Sequence, residues 1–364
     1  MNAATQQMFP CRQCGAKLEY QPGTGSQRCP YCGAENAIAR SAGPVQELDY
    51  TAALRAASDA TETIDVITVK CQACGAESTK PPNVTASACP FCGADIVATG
   101  ASSKRIKPKA LLPFGIDHKT ARELFKGWIR GLWFAPNALK RLARQDSPIN
   151  GLYCPYWTYD CHATTQYTGM RGDDYWDTET YTTRENGRSV TRTRRVRRTR
   201  WTPASGTVFN RFDDVLVVAS ESLPRTYAQA LEPWDLDKLE PYQDAYLSGF
   251  RAESYQVDLP TGFERAKEIM AVTIRAAICA DIGGDHQRIS SSSSSYDAIT
   301  FKHILLPVWL SAYRYRNKVY RFLVNARTGE VQGERPWSWV KIALAIIAVL
   351  PVAAAIAYYI AQSQ

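Results

Sequence analysis

The sequence is poor in everything that usually marks an enzyme. No G-x-x-x-x-G-K-[ST], G-x-S-x-G or H-E-x-x-H run occurs in its 364 residues. That removes P-loop NTPases, α/β-hydrolase elbows and helical zinc proteases from the function classes to consider. Histidine is scarce, with four in the chain. Three of them, His162, His286 and His303, share no catalytic or ligand spacing with each other or with Cys154 and Cys161. Cys154 and Cys161 are seven apart, on opposite faces of a regular strand. Cys279 falls in the last turn of an expected helix, as a core residue. Nothing in the residues indicates an enzyme. Met1 to Pro10 also lacks a basic cluster and an apolar run, which predicts no secretory signal. The thiols are therefore expected in a reducing compartment, as metal ligands rather than disulfides.

What is present begins with cysteine. Eight of the eleven cysteines form four C-x-x-C pairs. Cys11 and Cys14 are followed by Cys29 and Cys32; Cys71 and Cys74 are followed by Cys89 and Cys92. The second set repeats the first at an offset of sixty residues, an internal duplication. Two cysteines three apart can sit on one tight knuckle, with the next glycine supplying the positive φ of the turn. Two knuckles joined by a short hairpin complete a tetrahedral S₄ shell suited to zinc. A redox C-x-x-C stands alone beside a βαβ pattern, and no such pattern is found here. The expectation is two zinc ribbons, residues 1–40 and 67–100, each closed around one structural Zn²⁺. Segments this short bury little core, so the metal should supply most of their folding free energy. A helical linker, 41–66, should hold the ribbons together.

Charge then sorts the partners. The net charge is +8, but residues 1–100 hold seven Lys/Arg against nine Asp/Glu. Loaded with two Zn(Cys⁻)₄ centres they would stand near −6. Phosphate binding needs clustered Lys/Arg, so the ribbons are expected to meet protein rather than nucleic acid.

Residues 104–335 predict a mixed antiparallel β/α domain. An amphipathic helix is expected from Lys119 to Trp133, and a second from Ala138 to Arg144. Another runs from Pro260 to Asp281. Phe212 to Ser220 is a strand or a short helix, and the six serines Ser290 to Ser295 a linker or a polar edge strand. Lys302–Tyr315 and Lys318–Asn325 form a hairpin. Eight arginines fall within Arg184–Arg200. A turn at Asn186-Gly187 would set Glu185 opposite Arg188, Glu179 opposite Arg194 and Asp173 opposite Arg200. Cross-strand pairing then accounts for part of this charge. The span Asp173–Arg200 still nets +3, eight Arg against five acids. Arg192, Arg194, Arg195, Arg197, Arg198 and Arg200 are thus candidate contacts for nucleic acid or anionic lipid, the less favoured alternative.

The chain closes on Ile342 to Ala361, twenty residues without a charge, about 30 Å as a helix and enough to cross a bilayer. Trp337 and Trp339 stand at one end and Tyr358 and Tyr359 at the other, as interfacial rings do. Arg335 and Lys341 at the N-terminal end place the bulk of the chain in the cytoplasm by the positive-inside rule. The expected architecture is α+β: two Cys₄ ribbons, a cytoplasmic domain and one transmembrane helix over 337–361, tail-anchored in the inner membrane.

Several strings carry a resemblance: Leu112-Pro113-Phe114, Leu132 to Asn137, Tyr153 to Asp160, Phe212 to Leu216, Gly283 to Ile289, and Thr300 to His303 continuing to Tyr315. With the ribbons, they resemble bacterial membrane-anchored proteins described as TFIIB-type zinc-ribbon proteins, often labelled primosomal protein N′ (replication factor Y) or superfamily II helicase. The resemblance implies zinc and a membrane. It implies no helicase activity, since the phosphate-cradling loop and acidic magnesium motif are missing. The function expected is a non-enzymatic scaffold recruiting protein partners at the cytoplasmic face. The alternative is a membrane-associated nucleic-acid binder working through the arginine-rich span.

Overall fold

A computed structural model describes residues 9–39, 43, 45–55, 63–72, 77–79, 86–89, 91, 95–97, 101–137, 149–185, 188–315 and 318–362. The expected helix Ala138–Arg144, the Asn186-Gly187 turn, Cys74 and Cys92 lie outside them.

The first cysteine unit is a three-stranded sheet of β1 (Glu19–Gln21), β2 (Ser26–Arg28) and β3 (Glu35–Ala37). Next come β4 (Leu48–Asp49) and the short helix α1 (Tyr50–Arg55), whose first turn is capped by Asp49 accepting from the Ala52 amide at 2.6 Å. The second unit contributes β5 (Thr63–Lys70), β6 (Glu77–Thr79), β7 (Ala86–Ala88), β8 (Asp95–Val97) and β9 (Ala101–Ile106) in two small antiparallel sheets.

The main domain opens with β10 (Ala110–Leu111) and α2 (His118–Gly131). Asp117 caps α2 by accepting from the Thr120 amide at 2.7 Å, and Ala121, Phe125 and Ile129 turn one helical face inward. Two long strands follow, β11 (Asn150–Glu185) and β12 (Arg188–Val218), then α3 (Arg225–Gln229), β13 (Glu240–Pro241) and β14 (Arg251–Ala252). Helix α4 (Leu259–Ile282) starts at Asp258, which accepts from the Thr261 amide at 3.0 Å, and stops at Gly283 with φ +66°. Finally come β15 (His286–Tyr315), β16 (Lys318–Asn325), β17 (Val331–Gly333) and α5 (Trp339–Gln362).

One nine-stranded sheet organises the domain, with β12, β11, β15, β10 and β13 side by side. Strands β11 and β12 are antiparallel, as are β11 and β15, while β10 joins β15 in parallel. Along β11 alternate residues serve opposite faces. Leu152, Cys154 and Tyr156 enter one core; Trp157, Tyr159, Cys161 and Ala163 enter another beneath α4. A bulge between Tyr159 and Cys161 interrupts the register. The buried rings keep their polar tips satisfied: Trp157 donates to the Val257 carbonyl at 2.9 Å and Tyr159 to that of Leu259 at 2.8 Å.

The open alternatives resolve in favour of strands. Phe212–Val218 closes β12, and the serine run lies inside β15. Among the described residues, its stretch from His286 to Ile299 has a strand neighbour on one side only, β11. The serines pay for their place with hydroxyl pairs across the ladder, Thr165 with Ser294 at 2.8 Å and Thr168 with Ser291 at 2.7 Å. Within the expected linker, α1 is helical, and the residues before it join the main domain. Leu48 and Asp49 form a strand edge against Phe301 and Thr300, and Tyr50 packs on Tyr159 and Phe263. Leu48, Tyr50 and Ala53 pack against the core under α4.

Candidate metal centre

The first cysteine unit builds two copies of one turn. In each, the first cysteine of the pair accepts from the glycine amide and donates its own amide onward. Gly15 N–H meets Cys11 O at 2.9 Å and Cys11 N–H meets Ala16 O at 2.7 Å. Gly33 N–H meets Cys29 O at 3.0 Å and Cys29 N–H meets Ala34 O at 2.9 Å. Both glycines sit at φ +74°, where a side chain would be strained.

The four sulfurs of Cys11, Cys14, Cys29 and Cys32 lie within 4.8 Å of one another. Cys11–Cys32 and Cys14–Cys29 approach to 3.5 Å. A tetrahedral S₄ shell with 2.3 Å metal–sulfur bonds has edges of about 3.8 Å, so the cluster can hold a metal ion. Electrostatics agree. The amides of Cys32 and Tyr31 lower the Cys29 thiol to about 6. Against the pull of the Ala34 amide, the crowding sulfur of Cys11 lifts Cys32 to about 12. A metal ion held here would be met by four protein sulfurs.

This unit is seated on the main domain. Tyr20 is buried edge-on to Tyr246 at 5.3 Å. The Tyr20 amide donates to the Ser248 carbonyl, the Gln27 side chain to that of Ala245, and the Ser248 hydroxyl to that of Leu18. In the second unit, Cys71 and Cys89 are buried together with Val69 and Phe91 against Leu112, Leu152 and Cys154. The duplicated knuckle aromatics thus have opposite fates: Tyr31 is 83% exposed and Phe91 is 0% exposed.

The arginine-rich span is an arm. Strand β15 accompanies β11 up to the pair Gly172–His286; beyond it, β11 and β12 continue alone from Asp173–Arg200 to Glu185–Arg188. Thirteen residues per strand project about 40 Å. At its root, Asp174 accepts from Thr199 at 2.6 Å, from His286 at 3.1 Å and from Arg197. The hydrogen bond from Thr199 and the Arg197 guanidinium hold its carboxyl below the usual range. Farther out, Arg194 pairs with Glu179 at 2.8 Å and Arg198 with Asp177 at 3.1 Å. Arg195 lies over Trp176 and Arg200 over Tyr175. Arg192 stands opposite Tyr181 in the ladder. The arginines are thus woven into the arm, while their heads stay accessible along it.

Cys154, Cys161 and Cys279, with His162, His286 and His303, are not brought together. Cys154 and Cys161 lie in different cores; His162 pairs with Asp297 and His286 with Asp174 on the surface. His303 is buried, at 2.9 Å from the Ile106 carbonyl, and burial pushes its pKa down to about 4.

One polar cluster was not foreseen. Lys302, 7% exposed, reaches Asp214 at 2.7 Å, Glu47 at 3.1 Å and Asp160 at 3.7 Å. Burial lifts Asp160 to about 6 despite the Asp214 amide and the ammonium beside it. Glu47 and Lys302 are 255 residues apart, so the group is assembled by the pairing of β15 with β4 and β11 and of β11 with β12.

At the other end of the chain, α5 is 24 residues long with Lys341 its single charge, and none of its apolar stretch is buried. It is long and apolar enough to cross a membrane.

No family model matches the chain, and no solved structure matches it. It is similar to "Uncharacterized protein YdjG" of Bacillus subtilis (strain 168), 26% identical over 259 residues, which cover 69% of this chain and 70% of that one.

Proposed function

We propose that this chain is a zinc-bearing scaffold anchored by one C-terminal helix in the cytoplasmic membrane, with its bulk in the cytoplasm, and that it recruits a protein partner. The observation that carries this reading is the closed four-sulfur cluster, fixed to the main domain and presenting an exposed Tyr31 knuckle, on a chain ending in an unburied apolar helix. A shell with four protein ligands leaves no coordination site for substrate, so its zinc is structural. The second unit holds a second zinc through Cys71, Cys74, Cys89 and Cys92. Its buried Phe91 makes it part of the platform, leaving the first unit as the recruiting surface. The resemblance to membrane-anchored zinc-ribbon proteins supports the same reading.

A photo-crosslinking residue in place of Tyr31, in the full chain in its own membrane, tests recruitment. The same residue at exposed Val272 on α4 is the reference. A discrete protein adduct specific to position 31 is the expected result; identical adducts at both positions would reject it.

The arm sustains a second reading, binding of nucleic acid, because it nets +3 with accessible guanidinium heads. The full chain in neutral detergent would then bind single-stranded nucleic acid with a log–log salt slope of about −0.7 per phosphate contacted. A binding signal that does not change with salt would dismiss it.

A further inference from the structure

The first turn of α5 is fastened to the loop that follows α2. The Lys341 ammonium spends its three donors there: on the Ala135 carbonyl at 2.8 Å, on the Asn137 side-chain oxygen at 2.8 Å and on the Trp133 carbonyl at 3.2 Å. The Ser338 amide donates to the Phe134 carbonyl at 2.8 Å, and the Phe134 and Trp337 rings lie 6.3 Å apart. The loop is rooted in turn, with Leu132 and Ala135 buried in the core that holds Phe125 and Phe322. Those two rings stack with centroids 3.4 Å apart.

This fastened corner carries three indoles that the protein leaves uncovered. Trp133 is 75% exposed, Trp337 52% and Trp339 80%. Arg335 lies over the Trp337 ring at 4.7 Å, and Arg130 stands in the last turn of α2, just before the loop. Rigid, exposed indoles mixed with cations suit the headgroup layer of a bilayer, where an apolar ring and a polar N–H are both accommodated. Trp337 and Trp339 belong to the approach and first turn of α5, whereas Trp133 belongs to the folded domain. Through the Trp133 carbonyl, the Lys341 clamp ties this loop to the first turn of α5, which carries Trp339.

We propose that Trp133 and its loop form a membrane-contacting foot. The domain does not swing on a free tether; the Lys341 clamp seats it on the bilayer surface at a fixed tilt. The occupant of this apolar, cation-rimmed face is the headgroup layer of the membrane that α5 enters. The inference rests on the anchoring reading above.

The test uses the full chain in nanodiscs of phosphatidylcholine and phosphatidylglycerol. The fluorescence of a single indole is taken as the difference between the unmodified chain and Trp133→Phe or Trp339→Phe. Lipid brominated near the carbonyl should quench both indoles. Aqueous iodide should quench the Trp133 contribution at least about threefold less than it quenches an exposed indole, as expected for a ring in the interface. Lys341→Met should release Trp133 to iodide while Trp339 stays quenched by lipid. Trp339 quenched by lipid with Trp133 open to iodide in the unmodified chain would overturn the foot and leave the anchor standing. Neither indole quenched by lipid would overturn both.

Discussion

Two residues at equivalent places in a duplicated motif should respond to the same substitution to very different extents. Tyr31 and Phe91 each follow the proline of a Cys-Pro-aromatic-Cys knuckle. Phe91 is fully buried among Leu112, Leu152 and Cys154, while Tyr31 is exposed. Truncating a fully buried phenylalanine removes its transfer free energy and leaves a cavity, about 3–5 kcal/mol in total. A surface ring costs within about 0.5 kcal/mol. For a domain of this size each kcal/mol moves the midpoint by about 2–4 °C. Phe91→Ala should therefore lower Tm by about 10 °C, and Tyr31→Ala by less than about 2 °C. Both are read by differential scanning fluorimetry of the full chain in one detergent. Since Phe91 shares one core cluster with Leu152, Cys154 and Tyr156 of β11, its loss should appear in the main unfolding transition rather than as a separate early step. Equal shifts in the two variants, or a Phe91→Ala effect confined to a minor transition, would refute the account of the second unit as part of the domain's core.

Other consequences follow from single residues. Cys29→Ser should cut bound zinc by about one ion per chain, as four thiolates form one shell; elemental analysis reads it, and an unchanged zinc content would exclude this cluster as a metal site. His303 is neutral in the folded chain down to about pH 4, whereas unfolded histidine gains a proton near 6.5. The unfolded state therefore binds more protons across that window, and stability must fall as pH drops from 6.5 to 4, by roughly 3 kcal/mol. Denaturant midpoints should show that slope, and His303→Gln should flatten it. At Gly262, in the first turn of α4, an added methyl would meet the Tyr159 hydroxyl at 2.3 Å and Trp157 at 2.9 Å. Overpacking of about 1–3 kcal/mol outweighs a helix-propensity gain of about 1 kcal/mol; Gly262→Ala should lower the urea midpoint, and a rise would contradict this packing.

The features legible beforehand were those set by local chemistry. A knuckle needs its cysteines three apart and a glycine at positive φ, so the Cys11 to Cys32 cluster could be placed from spacing alone. Helix α4 announced itself through Ala266, Met270, Ile274 and Ile278, all buried on one face. In the arm, register follows once a single cross-strand pair is fixed; Glu179 opposite Arg194 is such a pair. The hidden features depend on distant partners. Tyr31 and Phe91 are chemically alike, and only the surfaces they meet separate them. The Lys302 cluster joins Glu47, Asp160 and Asp214 across three strand pairings. The serine run has a linker's composition, yet threonines of β11 opposite its hydroxyls hold it as a strand.

The regular pairing of β11 with β12 from Asp173 outwards gives the arm an arithmetic of its own. The first residue of β11 pairs with Leu310, its last is reached 35 positions later, and its register irregularities, at Tyr159–His162 and Thr168–Gly169, all precede the arm. Reach is thus counted in residues, about 3.3 Å at a time. Excising two residues from each strand would shorten the boom by about 7 Å and keep every guanidinium on its original side. Excising one from each would change the length by half as much, yet it would turn the whole outer half over, presenting the opposite set of charges to whatever it meets.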